Sequence, residues 1–494
     1  MARIKFGTDG WRAVMAESFT FDNVRMVARA IARYVRHHGL AGRGIVIGYD
    51  TRFLSDKFAQ AVAEVMVSEG IPVFLTASFC PTPVTAFAVV SQRAAGAVMI
   101  TASHNPPEYN GMKFIPEYGG PALPDVTDEI ENYINEMLEG EKGAAAGAAA
   151  AAALGVSAGE TAAAADGGVP AAEAAITRID PRAEYLAHLE KVIDVEGIRR
   201  RPLKVVTDSM YGCGQGYLEE FLARAGCQVE PLRNRCDPLF GGIVPEPMGR
   251  WLKELQETVV QKGADLGLAL DGDADRFGIV DRHGQYFTAN QALYLYLDHL
   301  LRTRPHRGPV ARTVATTHML DRIAAAHGLA VEETAVGFKY IGQSLRERGA
   351  VLGGEESGGM SMHGHIPEKD GILAAALMAE VVAVSGRDPG ELDEEIQRRY
   401  GPLVSERLDL HTAPAEKERI AARLKEFAPA EIAGLRVLER NTTDGVKFLL
   451  EGGRWALIRP SGTEPLFRLY VEAEDREVLR RIQDAVREEL GLFR

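Results

Sequence analysis

Cysteine is scarce in this chain: four in 494 residues, Cys80, Cys213, Cys227 and Cys236. No two form a C-x-x-C pair, so neither a zinc cluster nor a thioredoxin-like redox pair is supported. So sparse and irregular a set suits a reducing cytoplasm. A run of ~20 strongly apolar residues is also missing, which removes a membrane-spanning helix. The longest candidate, "GILAAALMAEVVAV", is interrupted by Glu380 and reads as a buried helix. The opening "MARIKFGTDGWR" has no apolar signal-peptide core, so a cytoplasmic location is expected. Positive charge is in deficit, with 56 Lys and Arg against 69 Asp and Glu and a net charge of −13. That balance argues against nucleic acid or an anionic membrane as partner. It leaves room for a local basic pocket holding a phosphorylated small molecule.

What is present is ordinary for a folded protein, 46% hydrophobic and 25% charged. The length predicts roughly three or four domains. Residues 140–175 are mostly Ala and Gly, with too few large apolar side chains (Leu154, Val156, Val169) to repay ordering. We read 141–178 as an insertion or linker without chemistry. Elsewhere short apolar strands ("GIVIGYD", "IPVFL", "AAGAVMI", "LKVVTDSM", "ADLGLAL", "VARTVATT") alternate with helical stretches. This alternation predicts α/β domains with mixed, mostly parallel sheets. Three such blocks are expected at 1–140, 179–286 and 287–398. A C-terminal α+β domain at 399–494 reads as strand, helix, two strands, helix. Ligand loops in α/β sheets lie past the carboxyl ends of strands. Ser103, Asp271 and Glu355 each follow an apolar strand, so three domains could present one loop each to a common cleft.

Asp271, Asp273 and Asp275 in "DGDADR" fall at i, i+2 and i+4, which puts them on one side of an extended segment. Three carboxylates facing one way repel unless a cation sits between them, and oxygen-only ligands suit Mg²⁺ or Ca²⁺. An EF-hand would need Gly and Glu at the sixth and twelfth positions, where Arg276 and Arg282 stand instead. Three protein ligands leave room for a phosphate oxygen, which Arg276 could also hold. In "RPSGTEP", Arg459, Ser461, Gly462 and Thr463 offer donors suited to an anion. It is not a Walker loop, and an ordinary Ser-Gly turn stays open. Glu355 and Ser357 in "GGEESGG" suit sugar hydroxyls, with a charged surface turn equally open. Lys369 in "HIPEKDG" and Lys339 in "VGFKYIG" are candidate phosphate contacts. Ser103 lacks a G-x-S-x-G elbow, so a hydrolase nucleophile is not supported; near a metal site and a phosphate cradle, phosphoryl chemistry is.

"GTDGWR" (7–12), "TASHNP" (101–106), "DGDADR" (271–276), "GEESGG" (354–359) and "RPSGTEP" (459–465) occur in this order across nearly the whole chain. Together they make the sequence resemble the α-D-phosphohexomutases, the group of phosphoglucomutase, phosphomannomutase and phosphoglucosamine mutase. The resemblance implies four domains around a central cleft, three α/β and a fourth of a different type. It implies an enzyme in which Ser103 is the phosphoserine, and Mg²⁺ is bound by Asp271, Asp273, Asp275 and the Ser103 phosphate. Arg12, His104 and Arg276 would surround that phosphate. Lys113 would be the general acid/base, with nearby cations lowering its pKa. Glu355 and Ser357 would bind sugar hydroxyls, and Arg459, Ser461, Gly462, Thr463 and Arg468 the phosphate not being transferred. A hexose 1,6-bisphosphate would serve as primer and intermediate, and hexose phosphates as partners of a monomer or homodimer. Some members carry GE-x-SGH in the sugar loop; here Gly359 stands at the His position, and the following E-K-D-G looks like the glucose-type enzymes. "RPSGTEP" pulls toward the phosphoglucosamine mutases. The expectation is interconversion of glucose 1-phosphate and glucose 6-phosphate, with mannose phosphates alongside. The alternatives are a phosphoglucosamine mutase, a non-catalytic sugar-phosphate binder, or a sugar phosphatase.

Overall fold

The computed structural model describes residues 4–7, 9–153, 175–461 and 465–492, with backbone alone at 141–153 and 414–415. Four sheets follow one another along the chain. The first has the order Trp11–Val14, Tyr109–Pro116, Gly96–Ile100, Ile45–Tyr49, Val73–Thr76, Ile176–Ile179. Its first two junctions are antiparallel and the rest parallel. The second runs Tyr286–Phe287, Phe277–Asp281, Leu266–Leu270, Lys204–Asp208, Gln228–Leu232, again antiparallel at one edge and parallel at the other. The third is Val331–Thr334, Val310–Thr313, Leu352–Gly354, Met360–Met362, with one antiparallel junction. Three mixed, mostly parallel α/β sheets thus precede a fourth, six-stranded and wholly antiparallel.

Strand "IVIGY" shows why the first sheet forms. Ile45 and Ile47 point into a core with helices Phe21–His37 and Ser55–Ser68, while Val46 points into a second core with helix Thr82–Gln92. A sheet covered on both faces wants such continuous apolar strands. Helix Gly371–Ser385 has the same logic in helical form. Thirteen of its residues are buried, and it packs in one cluster with strands Leu266–Leu270 and Phe277–Asp281 of the second sheet as well as with its own domain. A helix apolar all round is a buried helix, and Asp370 starts it by accepting the Leu373 N–H at 2.8 Å. Leu377→Ala at its centre should cost about 3 kcal/mol.

The segment read as linker to residue 178 differs from that reading at both ends. Helix Pro124–Ala153 carries the first domain into it. At its far end, Ile176–Ile179 pairs in parallel with Val73–Thr76 as the sixth strand of the first sheet. Residues 154–174 lie outside the described residues. The C-terminal domain is richer than strand, helix, two strands, helix: five strands stand between helices Pro414–Glu426 and Arg476–Leu490. The extra ones include the two-residue Glu431–Ile432 and the bulged Leu435–Asn441, too short or too polar to show the alternating pattern. No helix of the described residues is long and apolar enough to cross a membrane.

Candidate active site

Each loop singled out from the sequence leaves the carboxyl end of a strand. Ser103 follows Gly96–Ile100, Asp271 follows Leu266–Leu270 and Glu355 follows Leu352–Gly354, and each strand has a parallel partner. The first two loops meet. Ser103 Oγ donates to Asp271 Oδ2 at 3.0 Å and lies 3.4 Å from His104 Nδ1. Ser103 is 1% exposed and has φ 53°, a left-handed backbone that non-glycine residues seldom adopt. The approach is close because position 272 is glycine: a Cβ there would lie 2.5 Å from the Ser103 carbonyl oxygen.

Asp271, Asp273 and Asp275 are fully buried, and one oxygen from each falls within 4.8 Å of the others. Asp271 Oδ1 accepts the Arg276 N–H, and Asp273 Oδ2 accepts from Thr82 Oγ1 at 2.6 Å. Asp273 Oδ1 and Asp275 Oδ1 are buried with no hydrogen-bond donor. Unpaired carboxylate oxygens in a dry site are costly, and these two fit a bound hard cation. Burial, then Asp273 and Asp275, push the Asp271 carboxyl well up.

Lys113, on strand Tyr109–Pro116, reaches Asp9, Asp273 and Asp275, each at 2.9 Å. Here the structure differs from the expectation that neighbouring cations lower its pKa. Burial alone would lower it, but Asp273, Asp275 and Asp9 outweigh burial and hold it well above the ordinary lysine value. His104 is the neutral group beside Ser103, its pKa driven well down by burial and then by Arg276 and Arg12. Arg12 Nη1 donates to Asn105 Oδ1 at 2.8 Å, at the edge of the serine loop. Arg276 stands 3.9 Å from Glu246 and Asp275, and its buried Nε has no hydrogen-bond acceptor.

The sugar-loop candidates join from the third domain. Glu355 Oε1 accepts the Gly337 N–H at 2.9 Å, and burial, with Glu356 beside it, pushes its pKa up to about 7. Lys369 Nζ lies 3.0 Å from Asp9, 3.3 Å from Asp275 and 3.4 Å from Glu368. Ser357 and Arg276 line a cavity of about 450 Å³ whose other wall includes Ser405, Arg407, Trp455 and Tyr470. Lys339 is instead set over the Tyr340 ring, 5.5 Å from its centroid. On the fourth sheet Arg459 and Arg468 are cross-strand partners. Each stands two positions along its strand from Leu457 or Tyr470, which pack on Val314 and Ala315 of the third domain. Both arginines therefore belong to the face turned toward that domain. Arg459 Nη2 donates to Asp444 at 2.7 Å, and Ser461 N–H donates to Leu466 O at 2.9 Å. Gly462 and Thr463 lie outside the described residues.

Four family models match in order: phosphoglucomutase/phosphomannomutase α/β/α domain I over residues 3–141, domain II over 183–284, domain III over 288–400 and the C-terminal domain over 415–489. The chain belongs to the α-D-phosphohexomutase family. It is similar to a phosphoglucomutase/phosphomannomutase of Thermococcus kodakarensis, 30% identical over 477 residues and 96% of each chain. It is also similar to a phosphoglucosamine mutase of Paracoccus denitrificans, 31% identical over 498 residues and 98% of each. Among solved structures, a Thermus thermophilus protein assigned as a phosphomannomutase superposes with TM-score 0.82 at 33% identity over 99% of both chains. This phosphohexomutase is an intramolecular phosphotransferase, and the relatives' names divide over which hexose phosphate such enzymes use.

Five groups at the site were not read from the sequence: Asp9, Asp50, Arg52, Thr82 and Glu368. Asp9 lies within "GTDGWR" and meets both Lys113 and Lys369. The signal for Arg52 was its place directly after a buried strand, in "YDTR".

Proposed function

We propose that the protein is a Mg²⁺-dependent phosphohexomutase that interconverts glucose 1-phosphate and glucose 6-phosphate through a phosphoserine at Ser103 and a hexose 1,6-bisphosphate. The observation that carries this reading is the meeting of Ser103 Oγ with Asp271 at 3.0 Å beside the two donorless carboxylate oxygens. Asp271, Asp273, Asp275 and the phosphorylated Ser103 would hold Mg²⁺, which when bound neutralises charge on the phosphoryl oxygens. Arg12 and Arg276 flank the same position and supply further positive charge. The phosphoryl group leaves Ser103 Oγ for the free hydroxyl of a hexose monophosphate, giving the bisphosphate. The sugar then turns over, and its other phosphoryl group returns to Ser103. The hydroxyl proton can go to His104, neutral beside Oγ; Lys113, held protonated by Asp273, Asp275 and Asp9, can donate a proton but not take one up. Arg459, Ser461, Gly462, Thr463 and Arg468 receive the phosphate that is not moving.

Gly359 at the position where some members carry His, followed by E-K-D-G, supports glucose over glucosamine. A Cβ at Gly359 would lie 2.6 Å from Lys369 Cδ. Gly359 and the Lys369 of E-K-D-G thus go together, as one arrangement distinct from the His-bearing loop. Glu355 and Ser357 then face the sugar hydroxyls, with Lys369 beside them.

A coupled assay with Mg²⁺ and glucose 1,6-bisphosphate, across glucose, mannose and glucosamine phosphates, tests this directly. Glucose phosphates should give the highest kcat/KM, with mannose phosphates second. A preference for glucosamine phosphates would overturn the substrate assignment, and free phosphate without isomer exchange would overturn the mutase assignment. Intact mass should show a phosphoryl group on the wild-type protein that Ser103→Ala lacks.

A further inference from the structure

Ser103 is held by a residue that contributes nothing to the reacting groups themselves. The Arg52 side chain is completely buried beside that of Asp50. Its Nη2 donates to Ser103 O at 2.7 Å and Asn105 O at 2.6 Å; its Nη1 donates to Pro106 O at 2.7 Å and Tyr109 O at 3.0 Å. Three of the acceptors are carbonyls of the loop that carries Ser103, and the fourth, Tyr109 O, begins the strand that follows it. Nε lies 3.2 Å from Asp50 Oδ2. Asp50 in turn accepts from Thr101 Oγ1 at 2.6 Å and Ser55 Oγ at 2.8 Å, and Thr101 Oγ1 accepts the Ser103 N–H at 2.8 Å. The backbone on both sides of Ser103 is therefore tied to one Asp–Arg pair.

The same guanidinium reaches the second domain. Its carbon lies 4.9 Å from the centroid of the buried Phe240 ring, and the neighbouring Thr51 Oγ1 donates to Tyr211 O at 3.0 Å. The Ser103 carbonyl is caught between Arg52 on one side and Gly272 of the aspartate loop on the other. Left-handed backbone at non-glycine residues persists only where the surroundings over-determine it. Such residues gather here: Ser103, Leu54, Tyr211, Phe240 and Ala274 all have φ between 53° and 61°.

We infer that Arg52 is a positioning residue for phosphoryl transfer: it clamps the Ser103 loop in its left-handed conformation and, through Phe240, registers that loop against the aspartate loop of the second domain. A planar fork with donors at fixed angles can span these four carbonyls; a lysine ammonium cannot. The inference rests on Ser103 as the phosphoryl carrier.

The test compares Arg52→Lys, Arg52→Ala and Phe240→Leu in the full-length protein. Arg52→Lys keeps the charge and loses the fork; kcat should fall about 100-fold with KM changed by less than about 3-fold. Amide hydrogen exchange at residues 102–110 should speed up while the rest of the first sheet stays protected. Guanidinium chloride at sub-denaturing concentration should restore part of the activity of Arg52→Ala, and ammonium chloride should not. Phe240→Leu should lower kcat about 5-fold. Retention of kcat within about 3-fold in Arg52→Lys would overturn the inference, as would losses that follow falling thermal stability and resist guanidinium. If the wild-type protein moves no phosphoryl group, the function reading fails, while the exchange measurement still decides the clamp: unchanged protection at 102–110 in Arg52→Lys sinks it.

Discussion

Ser103 and Arg459 serve opposite ends of the proposed reaction, and their surroundings differ accordingly. Around Ser103 the polar groups are dry and fixed, with Asp273 Oδ1, Asp275 Oδ1 and Arg276 Nε left over for a ligand: Asp271 is 0% exposed and Lys113 3%, tied to three carboxylates. Arg459 stands on a sheet face with its side chain 15% exposed, bound to one partly exposed aspartate. The reacting end must meet charge that develops only during transfer, which rewards groups fixed beforehand. The far end holds whichever phosphate is idle, so it needs charge and reach and gains nothing from exact registry. Binding of that second kind lowers KM without raising kcat.

The contrast makes graded predictions. At the reacting end, Asp273→Ala removes the acceptor of Thr82 and Lys113. It should lower kcat by about 10⁴-fold, read in the coupled assay. A loss smaller than about 10-fold would break the contrast. EDTA should do the same to the wild type, with recovery on adding Mg²⁺.

Second is Glu355, whose burial raises its pKa to about 7. The folded protein keeps this proton while the unfolded chain loses it near pH ~4.3. The group's stabilising effect is therefore full below that pH and lost as pH rises through about 7. Wild type should lose up to about 3 kcal/mol more than Glu355→Gln between about pH 5 and about pH 7.5. Urea midpoints measure it, and parallel pH curves for the two proteins would refute it.

Third, Arg459→Ala should raise KM for the hexose phosphate about 10-fold and leave kcat nearly unchanged, as loss of one charged hydrogen bond implies. A fall in kcat of the same size would mean that the far end takes part in transfer. The smallest effect belongs to Asp444→Asn, which loosens the partly exposed pair with Arg459 and should cost less than about 1 kcal/mol of stability by thermal melting.

The sequence made legible what is local. Alternation of apolar strands and helices showed three α/β blocks, and the all-apolar "GILAAALMAEVVAV" showed its burial. The spacing of three aspartates showed that their carboxylates would converge. Contacts between distant segments were not legible. Arg52 binds residues 51 to 57 positions away, and Thr82 reaches Asp273 across 191. The Lys113 charge state was illegible for the same reason: Asp9 and Asp275 meet it only through folding. The strand Ile176–Ile179 was hidden because an edge strand that is largely exposed has little hydrophobic pattern to show.

That strand also bears on what the protein could tolerate. The chain leaves the first domain after helix Pro124–Ala153 and returns to the same domain at Ile176, beside Val73. Whatever stands between begins and ends on the same domain, so its length sets no distance between domains. The Ala/Gly tract is thus a place where the chain can be shortened, lengthened or made to carry a second folded module without moving the aspartates toward or away from the serine.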